Sequence, residues 1–234
     1  MLLIHICVIS LLSLLASANV EKTIFIAPSA LPTDSNLDEL GLERLTPASG
    51  MLRTRLNASF PTYAEAYGTD SWYFLENLNP GQRYEVRICW LATQPTAFTL
   101  STYTIPEALE DRALLDSINS YSSATAMPDR RDETPAVADS ASEPGSVLLL
   151  RISAAADYFS LDQELMENVP PVLADIILDP FLGNVFPKSL VPTAAWIVVV
   201  SCVAVVLARW VAREIAILVN SASLHEQADG KKVQ

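Results

Sequence analysis

Two ammonium groups stand at a fixed distance from the end of this chain, where Lys231-Lys232-Val233-Gln234 puts lysines three and four places from the carboxyl terminus. Paired lysines there resemble the dilysine signal by which single-span proteins are retrieved to the endoplasmic reticulum, read by the coat retrieval machinery when the tail is cytosolic. The plainer alternative is a solvated charged tail. A second chemical address is Asn57-Ala58-Ser59, an acceptor for N-glycosylation if exposed on the lumenal side. Groups suited to catalysis are scarce. The only histidines are His5 and His225, so the chain between them lacks the commonest general base, Ser–His and Cys–His pairs, and most metal sites. Asp38-Glu39 and Asp132-Glu133 are adjacent acids, which point apart on strands and loops, and the seven glycines make no phosphate loop. The expectation is therefore no catalytic residue, no metal and no cofactor.

These groups need elements to hold them on the proper side of a membrane. Residues 189–208 carry no Asp, Glu, Lys, Arg or His, and at about 1.5 Å rise per residue they cross a hydrocarbon core of about 30 Å as a transmembrane helix. Leu2 to Leu15 is a shorter apolar run ending in Ala16-Ser17-Ala18, the pattern of a signal peptide over residues 1–18 cleaved after Ala18, although the basic start is missing. An uncleaved signal anchor is the alternative. Arg209 and Arg213 follow the span while Lys188 alone precedes it, which orients residues 209–234 to the cytosol. The expected protein is a single-pass, type I membrane protein of the endoplasmic reticulum with residues 19–188 in the lumen.

Nearly all of the net charge of −12 lies in that lumenal part, which argues against nucleic acid as a partner because such binding needs a basic footprint. Cys7 belongs to the signal and Cys202 to the span, so Cys89 is left without an intrachain partner and the lumenal fold must rest on a hydrophobic core. Cys89 itself reads as a strand residue.

Residues 19–104 alternate short β-rich runs with turns: Thr23–Ile26, Leu52–Phe60, Ser71–Leu75, Arg83–Trp90 and Ala97–Tyr103. In the fourth run Tyr84, Val86, Ile88 and Trp90 share one face and Arg83, Glu85, Arg87 and Cys89 the other, the period of a half-buried strand. Ahead of it, Leu78-Asn79-Pro80-Gly81-Gln82-Arg83-Tyr84 joins two strands through a Pro-Gly turn. That arrangement resembles the corner of fibronectin-III-like and immunoglobulin-like sandwiches, where a tyrosine hydroxyl bonds back to the turn; Tyr84 is the structural corner residue. The fold class expected is mainly β, a small antiparallel β-sandwich plus one carboxyl-terminal transmembrane helix. Residues 105–145, rich in Ser, Ala, Pro, Asp and Glu, read as a flexible insertion with a short helix candidate at Pro106 to Ser117. Residues 146–188 read as one more strand at the sandwich edge, Val147 to Ser153, and an amphipathic juxtamembrane segment, Leu161 to Leu178, at helical spacing. That segment lies on the bilayer, on a partner's lumenal loops, or on its own sandwich.

Three runs together resemble the fungal GPI-mannosyltransferase II co-activator family: Leu52-Arg53-Thr54, Pro80 to Thr96, and Asn184 to Thr193. The resemblance implies a signal peptide, a lumenal domain and a carboxyl-terminal span in a non-catalytic subunit. It implies as partner the multispanning mannosyltransferase that adds the second mannose to the GPI precursor, with catalysis belonging to that partner and dolichol-phosphate mannose as donor. No catalytic residue is carried over. The residues alone leave open an endoplasmic-reticulum cargo receptor or quality-control adaptor, and a lumenal enzyme. Residues 209–234 lack a diphenylalanine-like export pair, which favours the subunit over the receptor.

Overall fold

Strands form where apolar and polar residues alternate, and the Arg83–Trp90 strand shows why: Tyr84, Val86 and Ile88 are fully buried while Arg83, Arg87 and Cys89 on the other face are partly exposed. The computed structural model describes residues 19–29, 40–63, 65–125 and 145–230, with side chains to residue 217. The signal segment 1–18, the pairs Asp38-Glu39 and Asp132-Glu133, and Lys231-Lys232 lie outside the described residues.

Nine strands are described: β1 (Val20–Ile26), β2 (Glu43–Leu45), β3 (Met51–Leu56), β4 (Thr69–Leu78), β5 (Arg83–Trp90), β6 (Thr96–Tyr103), β7 (Ser146–Ala156), β8 (Val172–Leu182) and β9 (Phe186–Pro187). One sheet runs β1-β5-β8-β3, with β9 paired to β8; the other runs β2-β4-β7-β6. Both contribute to one core, where Tyr73, Leu75, Leu150 and Ile152 of the second sheet meet Tyr84, Ile88 and Ile176 of the first. Burying each such side chain contributes about 1.5–3 kcal/mol. The pairing is antiparallel except for β2 with β4, which is parallel. The reason is connectivity: β2 is followed by β3 in the opposite sheet, so the chain crosses over before returning as β4 in its original direction.

The second sheet is buried on both faces. Trp72 and Phe74 alternate with Tyr73 and Leu75 along β4, and all four are at most 1% exposed. Trp72, Phe74 and Leu149 are covered by two helices, α1 (Ile105–Glu110) and α2 (Arg112–Thr125), through Ala108, Leu114 and Ile118. Thr104 starts α1 with a capping box to Glu107. Residues 105–125 are thus structured where a flexible insertion is expected, with the helix candidate Pro106 to Ser117 falling on α1 and the start of α2: a few apolar side chains, joined by Ile105 and Tyr121, suffice because the large aromatic surface comes from the sheet.

Two further expectations are corrected. β7 is not an edge strand but lies between β4 and β6, with most of its residues buried. The Leu161 to Leu178 segment is not an amphipathic helix; only Gln163–Glu167 is helical (α3), and Val172 onward forms β8, held between β5 and β3. Pro170-Pro171 ends the helical register, and Val172, Ala174, Ile176 and Leu178 point to the core at period two. The sandwich accordingly extends past residue 104 to Pro187, where a separate unit begins. In that second unit a 3-10 turn, Lys188–Leu190, leads into α4 (Val191–Gly230), and Lys188–Ile217 is long and apolar enough to cross a membrane. This reaches beyond the expected 189–208 because Trp210, Val211, Ile215 and Ile217 resume apolar sequence around Arg209, Arg213 and Glu214.

Candidate functional site

A dense set of hydrogen bonds ties together the corner where β4 crosses to β5, next to the turn by which the chain leaves β8. Pro80 and Gly81 occupy the centre of the first turn, closed by the Gln82 N–H donating to the Asn79 carbonyl at 3.0 Å. Gly81 adopts φ +75°, the left-handed value that the third residue of a type II turn requires. The turn is also tied to the end of β1: the Ala27 N–H donates to the Gln82 carbonyl and the Gly81 N–H to the Ala27 carbonyl, each at 2.9 Å.

Tyr84 stands inside this turn. Its hydroxyl accepts from the Asn79 N–H at 3.0 Å and donates to Gln82 Oε1 at 3.1 Å, and its ring stacks on Phe25 at 5.9 Å. Burial raises the Tyr84 phenol above its ordinary pKa, partly offset by the Asn79 bond. Gln82 passes the connection on: its Oε1 also accepts from Asn79 Nδ2 at 2.8 Å, and its Nε2 donates to the Phe181 carbonyl on β8 at 3.0 Å.

The second turn joins β8 to β9 through Gly183 and Asn184, at φ +58° and +59°. Two successive residues of positive φ are the mark of a type I′ hairpin turn, which glycine and asparagine tolerate best. Asn184 also ties the two turns together, because its Oδ1 accepts from the Arg83 N–H at 2.8 Å and its Nδ2 donates to the Gly81 carbonyl at 3.0 Å. The Arg83 guanidinium lies over the Phe181 ring at 5.9 Å. Below the corner, Arg53 on β3 makes a bidentate ion pair with Asp175 on β8, at 2.6 and 2.8 Å, which holds the Asp175 carboxyl below the ordinary carboxylate range.

The groups of the corner are amides, carbonyls and one phenol bonded mainly to one another, so their chemistry is positional: they fix the exit of the chain from the sandwich. Among the described residues no group of three or more His, Cys, Asp or Glu side chains could hold a metal. Asn57 is elsewhere, exposed one residue beyond β3, on the rim of a cleft bordered by α2. In that cleft burial pushes the Asp70 carboxyl up, but bonds from Arg151, Ser153 and Ser117 outweigh burial and hold it low. Ser117 in turn accepts from Trp72 Nε1 at 2.9 Å, tying α2 to β4. The structure therefore does not bring Tyr84 and Asn57 into one site. Gln82 and Asn184 are the corner residues that sequence reasoning missed. The dipeptide Gly183-Asn184 after an apolar run is a hairpin signal that marks the second.

Residues 9–121 match the family model described as GPI-Mannosyltransferase II co-activator. Leu52–Thr54 and Pro80–Thr96 fall inside that span and Asn184–Thr193 beyond it, so the structure joins a matched segment to an unmatched one through the Asn184 bonds. No curated protein and no solved structure matches the chain.

Proposed function

Residues 9–121 carry the pattern of the GPI-mannosyltransferase II co-activators, and on that premise we propose that this chain is a non-catalytic subunit that stabilises or activates the mannosyltransferase adding the second mannose to the GPI precursor. The family match is the observation that carries the reading. Its partner is a multispanning catalytic subunit in the endoplasmic-reticulum membrane. The sandwich faces the lumen, after removal of a signal peptide, and the helix beginning at Val191 spans the bilayer. The fibronectin-III or immunoglobulin kinship of the sandwich is part of the proposal and is supported by the Tyr84 corner. The corner has a role in this reading: it holds rigid the end of the sandwich from which the chain continues into the span, so that both contact the same partner.

Purification of the full chain in mild detergent tests the assignment. The expected result is stoichiometric recovery of a multispanning glycosyltransferase; a spread of secretory proteins without it identifies instead a cargo receptor or quality-control adaptor.

The tail supplies a further test. With Lys231 and Lys232 read by the retrieval coat, the double substitution Lys231→Ser, Lys232→Ser is expected to release the protein from the endoplasmic reticulum to later compartments, seen by microscopy and by maturation of any glycan. Unchanged residence would assign retention to the partner or the span.

A further inference from the structure

We propose that the cleft between α2 and the turn 65–68 is a docking site for an N-linked glycan carried on Asn57, whose inner sugars it holds against Tyr67 and Tyr121. The inference rests on the lumenal placement of the sandwich proposed above. Leu56 and Ala58 are buried, so alternation turns Asn57 outward, where it lines a cleft of about 530 Å³, within the range of about 300–1,000 Å³ usual for small-ligand pockets.

The lining also includes Tyr67, 61% exposed, on a turn that is well held. Glu65 anchors that turn: its carbonyl accepts from the Thr62 and Gly68 N–H groups at 3.0 and 3.3 Å, and its own N–H donates to Thr62 Oγ1 at 3.0 Å. Gly68 sits at φ +74° with its backbone so close to β7 that any Cβ would collide with the Ala154 carbonyl oxygen. A large aromatic ring is thus fixed in solvent beside the cleft, with no share in the core. The helix contributes Tyr121, Asp116 and Ser120.

This lining suits a neutral saccharide. The C–H face of a sugar ring packs on a phenol ring, and its hydroxyls donate to carboxylates such as Glu65 and Asp116. An anionic ligand is disfavoured, because Glu65, Asp70 and Asp116 line the cleft while the one cation among its described lining residues, Arg151, is paired with Asp70 at 2.8 Å. Attachment supplies the occupant. The Asn57 amide nitrogen takes the oligosaccharide from a lipid-diphosphate donor: an N–C1 bond forms, the C1–O bond to the diphosphate breaks, and the amide proton leaves to the transferase's base. Tethering then makes a weak site sufficient, since an effective concentration on the order of 1 mM keeps a site of about 0.1 mM affinity filled about ten times as often as empty.

The test uses the full chain isolated from microsomes. Wild type is expected to lose an electrophoretic shift on Asn57→Gln, and an N-glycosidase acting on the native protein should cleave wild type about tenfold more slowly than Tyr67→Ala. Tyr63→Ala, which removes an exposed ring outside the cleft, should match wild type. Because unfolding also speeds cleavage, amide exchange in α2 is compared on the natural sequence with and without its glycan, and several-fold slower exchange is expected with it. Equal mobility of wild type and Asn57→Gln, equal cleavage rates, or α2 exchange indifferent to the glycan would each overturn the proposal. These readouts do not depend on GPI assembly, so loss of the co-activator reading alone leaves them intact. A sandwich open to protease on the outside of sealed microsomes, without glycan, would sink both.

Discussion

Cells depleted of this protein are expected to stop GPI assembly after the first mannose and to accumulate that intermediate, because on the proposed function the catalytic partner then lacks the subunit that stabilises or activates it. Labelling with a mannose precursor reads the result directly, and normal intermediates on depletion would discard the pathway assignment. Complementation separates the parts. The whole chain should restore assembly, while a chimera with an unrelated apolar helix in place of residues 188–217 should restore it only in part. The span offers Pro192 and Thr193 near its start and Ser201 further along, where close packing or interhelical hydrogen bonds contribute about 0.6 kcal/mol each. Full rescue by the chimera would make the helix a passive anchor and leave the sandwich as the functional part.

The second large effect is expected at the corner. Tyr84→Ala removes a fully buried ring, its stack on Phe25 and two hydrogen bonds, and should cost about 3–5 kcal/mol of stability. Tyr84→Phe keeps the ring and strands the Asn79 N–H, a loss of about 1 kcal/mol. Asn184 divides in the same manner: Asn184→Gly preserves the positive φ but removes the bonds to Arg83 and Gly81, whereas Asn184→Ala also strains the turn and should be the worse of the two. Denaturant unfolding of the full chain in detergent, followed by tryptophan fluorescence, gives the order. Equal midpoints for wild type, Tyr84→Phe and Tyr84→Ala would remove Tyr84 from its structural role.

Much of the sandwich is legible where one face is wet. β5 alternates in sequence, although Glu85 on its polar face is buried, and the runs at Thr23, Ser71, Ala97 and Val147 fall on strands, while the run Leu52–Phe60 is strand as far as Leu56. Where both faces are dry, alternation disappears and its absence is the signal: Trp72-Tyr73-Phe74-Leu75 and Val147 to Leu150 are continuous apolar runs, which require a covering layer on each side. That demand for cover calls for α1 and α2, which the helix candidate at Pro106 to Ser117 marks only in part, as one short helix within a polar stretch. β8 is harder, since Val169, Val172, Leu173, Ile176 and Ile177 fit a helical spacing as well as a strand; its β-branched content and the prolines before it decide for the strand. The corner is half legible. Pro80-Gly81 and Tyr84 announce the turn and its tyrosine, but the bonds of Gln82 to Phe181 and Asn184 to Arg83 join residues about a hundred apart, which no local pattern encodes.

The central positions of β7 and β8 bear on how the molecule is made. Both sheets wait for an inner strand made late: β4 and β6 wait for β7, and β3 and β5 wait for β8, with the two-residue β9 following it. With the sandwich in the lumen, as proposed above, a ribosome that has released residues up to 145 has delivered six of the described strands and two of the described helices, yet β3 and β5 still lack the neighbour between them and the core cannot close. Pairings so distant along the chain form slowly, and unpaired strand edges invite association with other chains in the interval. Closure is delayed until Leu182 emerges, a few residues before the apolar helix that starts at Val191. Completion of the sandwich and synthesis of the apolar helix are thereby brought close together in time, and the new chain keeps unpaired strand edges until nearly all of residues 19–187 are made.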